Sequence, residues 1–316
     1  MVVEGRTLEP ALQLATLQGR RQKLQQWEMP PQQARRVGDR GMVISNAVSR
    51  PLAALEAIEI PGPVGAIPAR VYRPRTLAGP APLLLYFHQG GFVLGNLDWC
   101  EAFCTLLADV GRCVVVSVDY HLAPEHVFPA AHDDALAAWR WAQEEAGRFG
   151  ADPERIAVAG DSAGGNLAAY LCHEAARAGV SGPIFQLLIY PWVTCREQPP
   201  SYEHFADAWP LGRPLMDWFE EHVFTKREDI DDWRVNLLHE PGFEKLPPAH
   251  IANAGFDPLC DEGRLYAEKL AAASVAVSHR CYDALPHSFT GMGVVPAALR
   301  AQEEIAAELA RGLGTG

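Results

Sequence analysis

No run of the 316 residues is long and apolar enough to cross a bilayer, and the opening MVVEGRTLEP lacks the apolar core of a secretory signal. The expected location is the cytoplasm, with no stable membrane anchor. A basic excess is also missing. Lys and Arg total 27 against 39 Asp and Glu, for a formal charge of −12. A phosphate-binding face needs the opposite balance, so nucleic acid is excluded as a partner. The same acidity gives no pull toward anionic lipid. Cysteine is sparse and unpatterned. Seven residues without a repeated spacing read as reduced, buried thiols rather than a disulfide framework. Cys100 and Cys104 are four apart on a predicted helix, but no second cluster completes a ligand set. Neither metal nor organic cofactor is expected. No internal repeat or low-complexity segment is evident.

What remains is an ordinary globular composition, 48% hydrophobic and 21% charged, with material for a large core. The first 45 residues or so are rich in Gln and Arg with spaced apolar positions (Leu12, Leu14, Leu17, Leu24, Trp27). They read as an amphipathic helix covering something apolar, broken at Pro30-Pro31. ALEAIEI and AIPARVYRP then alternate like antiparallel strands. PLLLYF, CVVVSVDY, RIAVAG, FQLLIY, AHIANAG and VSHRCYD are further strands. Helical patterns fall at residues 98–111, 133–149, 163–179 and 262–273. Continuous apolar strands alternating with helices imply a mostly parallel sheet covered on both faces, an α/β fold. From Pro191 to about Leu238 no strand is expected, and aromatics cluster instead. Such an insertion after a sheet strand reads as a lid.

RIAVAGDSAGGNLAAYL carries the strongest chemical signal. A short strand ends, Gly160-Asp161-Ser162-Ala163-Gly164 follows, and a helix begins. This is Gly-x-Ser-x-Gly in strand–turn–helix context, where only small neighbours let the backbone turn tightly enough to expose the serine hydroxyl. The helix N-terminus also favours developing negative charge. Ser162 is the candidate nucleophile. An attacked ester forms an oxyanion that needs preorganised N–H donors. Ala163 supplies one, and Gly90 and Gly91 of HQGG, at the end of PLLLYF, supply the others. Downstream of Ser162, only His287 falls in a loop after the last strand, so it is the base. Asp257 follows the preceding strand directly and is the acid. Asp261 reads as the N-cap of the next helix, and Asp283 lies too near its strand. His88 precedes the nucleophile and has no partner ligands, so it reads as a brace for the glycine loop.

The motifs HQGGFVLGN, DYHLAPEHVFPAAHDD, GDSAGGNLAA, DPLCDEG and PHSF, in this order, resemble the bacterial hormone-sensitive-lipase-like esterases of the α/β-hydrolase fold. The resemblance spans about residues 80–290. It implies an eight-stranded sheet with one antiparallel strand near its start. It implies a helical cap from residues 1–45 and 192–238 over a catalytic domain of 46–191 and 239–316, and often a dimer through the last strand. It implies a serine hydrolase of carboxylic esters with short to medium acyl chains, using Ser162, Asp257 and His287 with Gly90, Gly91 and Ala163. Alternatives on the same residues are an amidase, formamidase or aryl-ester hydrolase, or a non-catalytic small-molecule binder. Gln89, Phe92, Trp192, Phe205 and Trp209 are the candidate pocket side chains. Three departures from the family pattern stand out: Gln89 replaces the first glycine after His88, Ser288 follows the base, and His121 replaces an arginine.

Overall fold

The computed structural model describes residues 1–77 and 79–316, with the backbone alone for Val43. A small hairpin, β1 (Val2–Val3) and β2 (Arg6–Thr7), precedes helices α1 (Pro10–Arg20) and α2 (Pro31–Ser45). The first 45 residues thus form two helices. The Pro-Pro pair breaks the chain as expected, and Pro31 then opens α2 because a missing N–H costs nothing at a first helical position. Leu12 is buried, but Leu14, Leu17 and Leu24 are exposed, so only part of the expected apolar stripe faces inward.

Eight strands form one sheet: β3 (Ala54–Pro61), β4 (Ala66–Arg73), β5 (Ala81–Phe87), β6 (Val114–Val118), β7 (Ala151–Asp161), β8 (Gln186–Ile189), β9 (Ala249–Phe256) and β10 (Val277–Pro286). The order is β10-β9-β8-β7-β5-β6-β4-β3. Only β4 runs against its neighbours. Helices α3 (Leu97–Gly111), α4 (Ala130–Glu145), α5 (Ala163–Ala178), α6 (Ser201–His204), α7 (Arg213–Val223), α8 (Cys260–Ala272) and α9 (Pro296–Leu313) complete the chain. Alternation along the strands divides the core in two. Leu83, Leu85 and Phe87 pack with α4, α5 and α8, whereas Leu84 and Tyr86 pack with α3 and α9.

α9 was not among the expected helices. Pro296 at its start and left-handed Gly314 at its end bound it, and Ile305, Leu309 and Leu313 are buried. Asp261 is not an N-cap. Helix α8 starts at Cys260 with Leu259 in the cap position, and the Asp261 carboxylate accepts the Ser201 N–H at 3.0 Å instead. Between β8 and β9 lie α6, α7 and several single helical turns, with an isolated bridge between Thr194 and Asn236.

Candidate active site

β7 ends at Asp161, and Ser162 takes φ 57° and ψ −119° before α5 begins. The glycines around it are required by close approach. A Cβ on Gly160 would meet the Gly164 carbonyl oxygen at 2.1 Å, and one on Gly164 would meet that of Phe87 at 2.0 Å. The His287 Nε2 lies 3.0 Å from the Ser162 Oγ, and its Nδ1 lies 2.7 Å from the Asp257 Oδ2. All three side chains are buried. The other Asp257 oxygen accepts the Leu259 N–H at 2.9 Å, which fixes the carboxylate plane. These groups come from three strand ends, β7, β9 and β10, at one edge of the sheet. Asp283 lies within β10, where it pairs with Arg6 at 3.2 Å.

The loop after β5 faces the same point. Gly90 has φ 132° and Gly91 φ 60°. A Cβ on Gly90 would meet the Leu94 carbonyl at 2.1 Å, and one on Gly91 the Phe219 ring at 2.3 Å. Among the described residues nothing accepts a hydrogen bond from the amides of Gly90, Gly91 or Ala163. His88 is fully buried beneath them. Its Nδ1 lies 2.8 Å from the Gln89 carbonyl, its ring stacks on Tyr120 at 4.4 Å, and the Tyr120 hydroxyl donates to the His88 carbonyl. Burial opposes a charge on His88, but Asp119, 3.5 Å from Nε2, outweighs it and raises the pKa.

Two supports were not anticipated. Buried Asp161 accepts hydrogen bonds from Tyr86 (2.7 Å), Tyr190 (3.0 Å) and Thr290 (2.9 Å), joining the serine turn to the loop that carries His287. Burial raises its pKa, and the three hydroxyls pull it back. Tyr190 also packs its ring 4.5 Å from that of His287. His132 bonds Asn166 at 2.9 Å, Asn166 donates to the Trp192 carbonyl, and the Trp192 N–H donates to that of Ser162. An acidic residue before the serine and a histidine in HDD were the available signals, but neither states a partner.

A cavity of about 420 Å³ opens over Ser162 and His287. Leu12 and Ala15 of α1, Met42 of α2, and Leu215 and Phe219 of α7 contribute to its walls, with Gln89 and Trp209. Phe92, Trp192 and Phe205 do not line it. Phe92 packs between Tyr120, His132 and Trp192, and Phe205 packs on Phe256 at 5.7 Å. These rings fill cores under the loops, a use of aromatics that composition cannot distinguish from pocket lining. Ser288 lines the cavity with φ 64°, a conformation that favours the glycine usual at this place.

Residues 84–291 match a family model described as the alpha/beta hydrolase fold. The carboxylic ester hydrolase LipN of Mycobacterium tuberculosis is 40% identical over 315 residues, spanning 92% of this chain and 79% of that one. The chain belongs to the hormone-sensitive-lipase-like α/β hydrolases. An ethyl acetate hydrolase of Pseudomonas putida is 38% identical, covering 72% of this hydrolase and 73% of its own length. Among solved structures, an ester hydrolase from the Lake Arreo metagenome, complexed with a bipyridine phosphonate derivative, superposes with a TM-score of 0.94 at 37% identity, over 98% of this chain and 100% of that one. The esterase of the archaeon Pyrobaculum calidifontis gives 0.91 at 36% identity, over 96% and 98%.

Proposed function

We propose that this α/β hydrolase cleaves carboxylic esters of short to medium acyl chain through an acyl-enzyme on Ser162. The observation that carries the reading is the bonded series Ser162–His287–Asp257 at the floor of a largely apolar cavity. His287 Nε2 takes the proton as Ser162 Oγ attacks the ester carbonyl. Asp257 holds the ring with Nε2 free to accept and stabilises the imidazolium. The N–H groups of Gly90, Gly91 and Ala163 bind the oxyanion. His287 then protonates the departing alcohol, and water that it deprotonates releases the acid. Residues 1–45 and 192–238 act as the cap. His88 braces the glycine loop, and Gln89 and Trp209 shape the substrate pocket.

Incubation with nitrophenyl esters of graded chain length, with and without an organophosphate, tests this. Release of nitrophenol, lost as Ser162 is labelled, is the expected result. Neither release nor labelling would end the ester-hydrolase reading. We also propose a cytoplasmic homodimer, with β10, the terminal strand of the sheet, as the face for a second copy. Sedimentation equilibrium and cell fractionation check both. Among the described residues no helix is long and apolar enough to cross a membrane.

A further inference from the structure

Three polar side chains of the cavity wall are fully buried: Gln89, Ser162 and His287. Ser162 and His287 bond to one another. Gln89 is only 4% exposed, its Oε1 is sealed from solvent without a partner, and among the described residues nothing bonds its Nε2. Among the described residues no half-buried polar residue of the wall bonds it, Ser288 included. Gln26 donates to the Ala34 carbonyl, and Ser45 to that of Gly41. Gln89 also differs from its loop neighbours in needing no special backbone. Gly90, Gly91 and Gly95 have positive φ, and a Cβ on any of them would collide. Residue 89 tolerates a side chain, and the one present is long, polar and directed to a wall otherwise built of Met42, Leu94, Leu215 and Phe219.

A buried amide without a partner is costly, and the unpartnered Nε2, which unlike Oε1 is not sealed, is the atom an incoming group can meet. Rotation of the terminal torsion exchanges oxygen and nitrogen, so the carboxamide offers either an acceptor or a donor. A hydroxyl complements both, since it donates and accepts. A plain alkyl chain complements neither and leaves the amide unpaired.

We infer that Gln89 selects esters bearing a hydroxyl group, which pairs with its carboxamide when the substrate fills the cavity. This rests on the ester-hydrolase reading above and names a substrate class for it. Discrimination by a buried polar group is strong, because an analogue lacking the matching group leaves that polar group unpaired. Gln89 touches substrate but takes no part in bond making, so its effect falls on selection between esters.

The test compares kcat/KM for hydroxylated and plain partners on each side of the ester. On the acyl side these are p-nitrophenyl 3-hydroxybutyrate and p-nitrophenyl butyrate. On the alcohol side they are 2-hydroxyethyl butyrate and ethyl butyrate, followed by acid release. Each is measured with the wild type, with Gln89→Met, which keeps length and removes hydrogen bonding, and with Gln89→Gly. Each protein serves as its own reference, so only the hydroxylated-to-plain ratio is read. The expected result is a wild-type ratio above one on one side of the ester, falling by about tenfold in both variants. Turnover of all four esters with ratios indifferent to residue 89 overturns the inference and leaves the ester-hydrolase reading standing. No turnover of any ester by the wild type overturns both.

Discussion

Ser162 holds a left-handed backbone conformation that a side chain adopts at a cost, met by the packing of Gly160 and Gly164 around it. Two predictions separate its chemistry from its geometry. Ser162→Ala and His287→Ala should each lower kcat by roughly a thousandfold or more while leaving the thermal midpoint nearly unchanged. Asp257→Asn should be comparably severe and Asp261→Asn mild, because Asp261 bonds Ser201 and Arg264 rather than the histidine. The reverse ranking in steady-state kinetics would reassign the acid. Gly164→Ala, by contrast, forces a methyl against the Phe87 carbonyl, which cannot swing aside, and should cost about 3 kcal/mol of stability. Gly147→Ala meets nothing within 4 Å and should gain about 0.5 kcal/mol by restricting the unfolded chain. Urea unfolding of the pair measures the contrast. His88→Ala should lower kcat by about tenfold, well short of His287→Ala, since His88 acts through the loop it braces. Equal losses would contradict the brace.

At the scale of elements, polar side chains pin α2 to the chain after β5 and β6: Asp39 accepts from the side chains of Asn96 (2.9 Å) and Trp99 (2.8 Å), and Arg35 makes the most bonds. Arg35 donates to the carbonyls of Val93 and Ala123 at 2.8 Å each, and its fork grips the Glu125 carboxylate at 2.7 and 3.0 Å. The Arg35 guanidinium holds the Glu125 pKa down at about 2. That contribution is present above the ordinary value near 4.5 and is lost as pH falls toward 2. Because the pair is partly exposed, the buried carbonyl bonds matter more than the ion pair. Arg35→Ala should therefore speed thermolysin cleavage within residues 1–45 and raise KM, with little change in the unfolding midpoint of the sheet. Unaltered cleavage would show that α2 is held without Arg35, by the Asp39 bonds and apolar contact. Beyond β8, buried Glu262 of α8 accepts the N–H groups of Val193 and Thr194 and the Tyr202 hydroxyl, tying the chain after β8 to the helix after β9.

For the whole molecule, three buried histidines contribute to acid sensitivity. Burial lowers the pKa of His132 to about 4, of His173 to about 3 and of His250 to about 4. Each folded value lies below the unfolded one near 6.5, so between the two the unfolded chain binds the extra proton. Their contribution is therefore fully present above about pH 6.5 and is lost as pH drops toward 4, whereas Glu220, raised by burial to about 7, favours the folded chain in the opposite direction over the same range. His132→Gln should flatten that slope in thermal midpoints measured from pH 4 to 8, whatever its effect at pH 7. An unchanged slope would remove His132 as a contributor.

Much of this architecture is local in origin. Apolar strand runs, glycines two residues either side of Ser162, and HQGG after a strand each announce themselves, because period, tight turns and free amides need particular residue types at short range. The strand set and the triad candidates were legible on those grounds. Helix α9 was not anticipated, although its proline, glycine and apolar period are visible, since no motif draws the eye there. Which aromatics face the cavity was not legible at all. Phe92, Trp192 and Phe205 look the same in the sequence as Trp209 and Phe219, and only packing sends the first three into cores and the last two to the cavity wall. The same holds for polar groups. The chain dictates that a glutamine stands at position 89, but its partnerless burial arises from elements far apart in sequence closing around it. Asp161 likewise gains its meaning from Tyr86, Tyr190 and Thr290, which reach it across the fold. Hydrogen-bond partners and burial are long-range properties, and only the tertiary structure decides them.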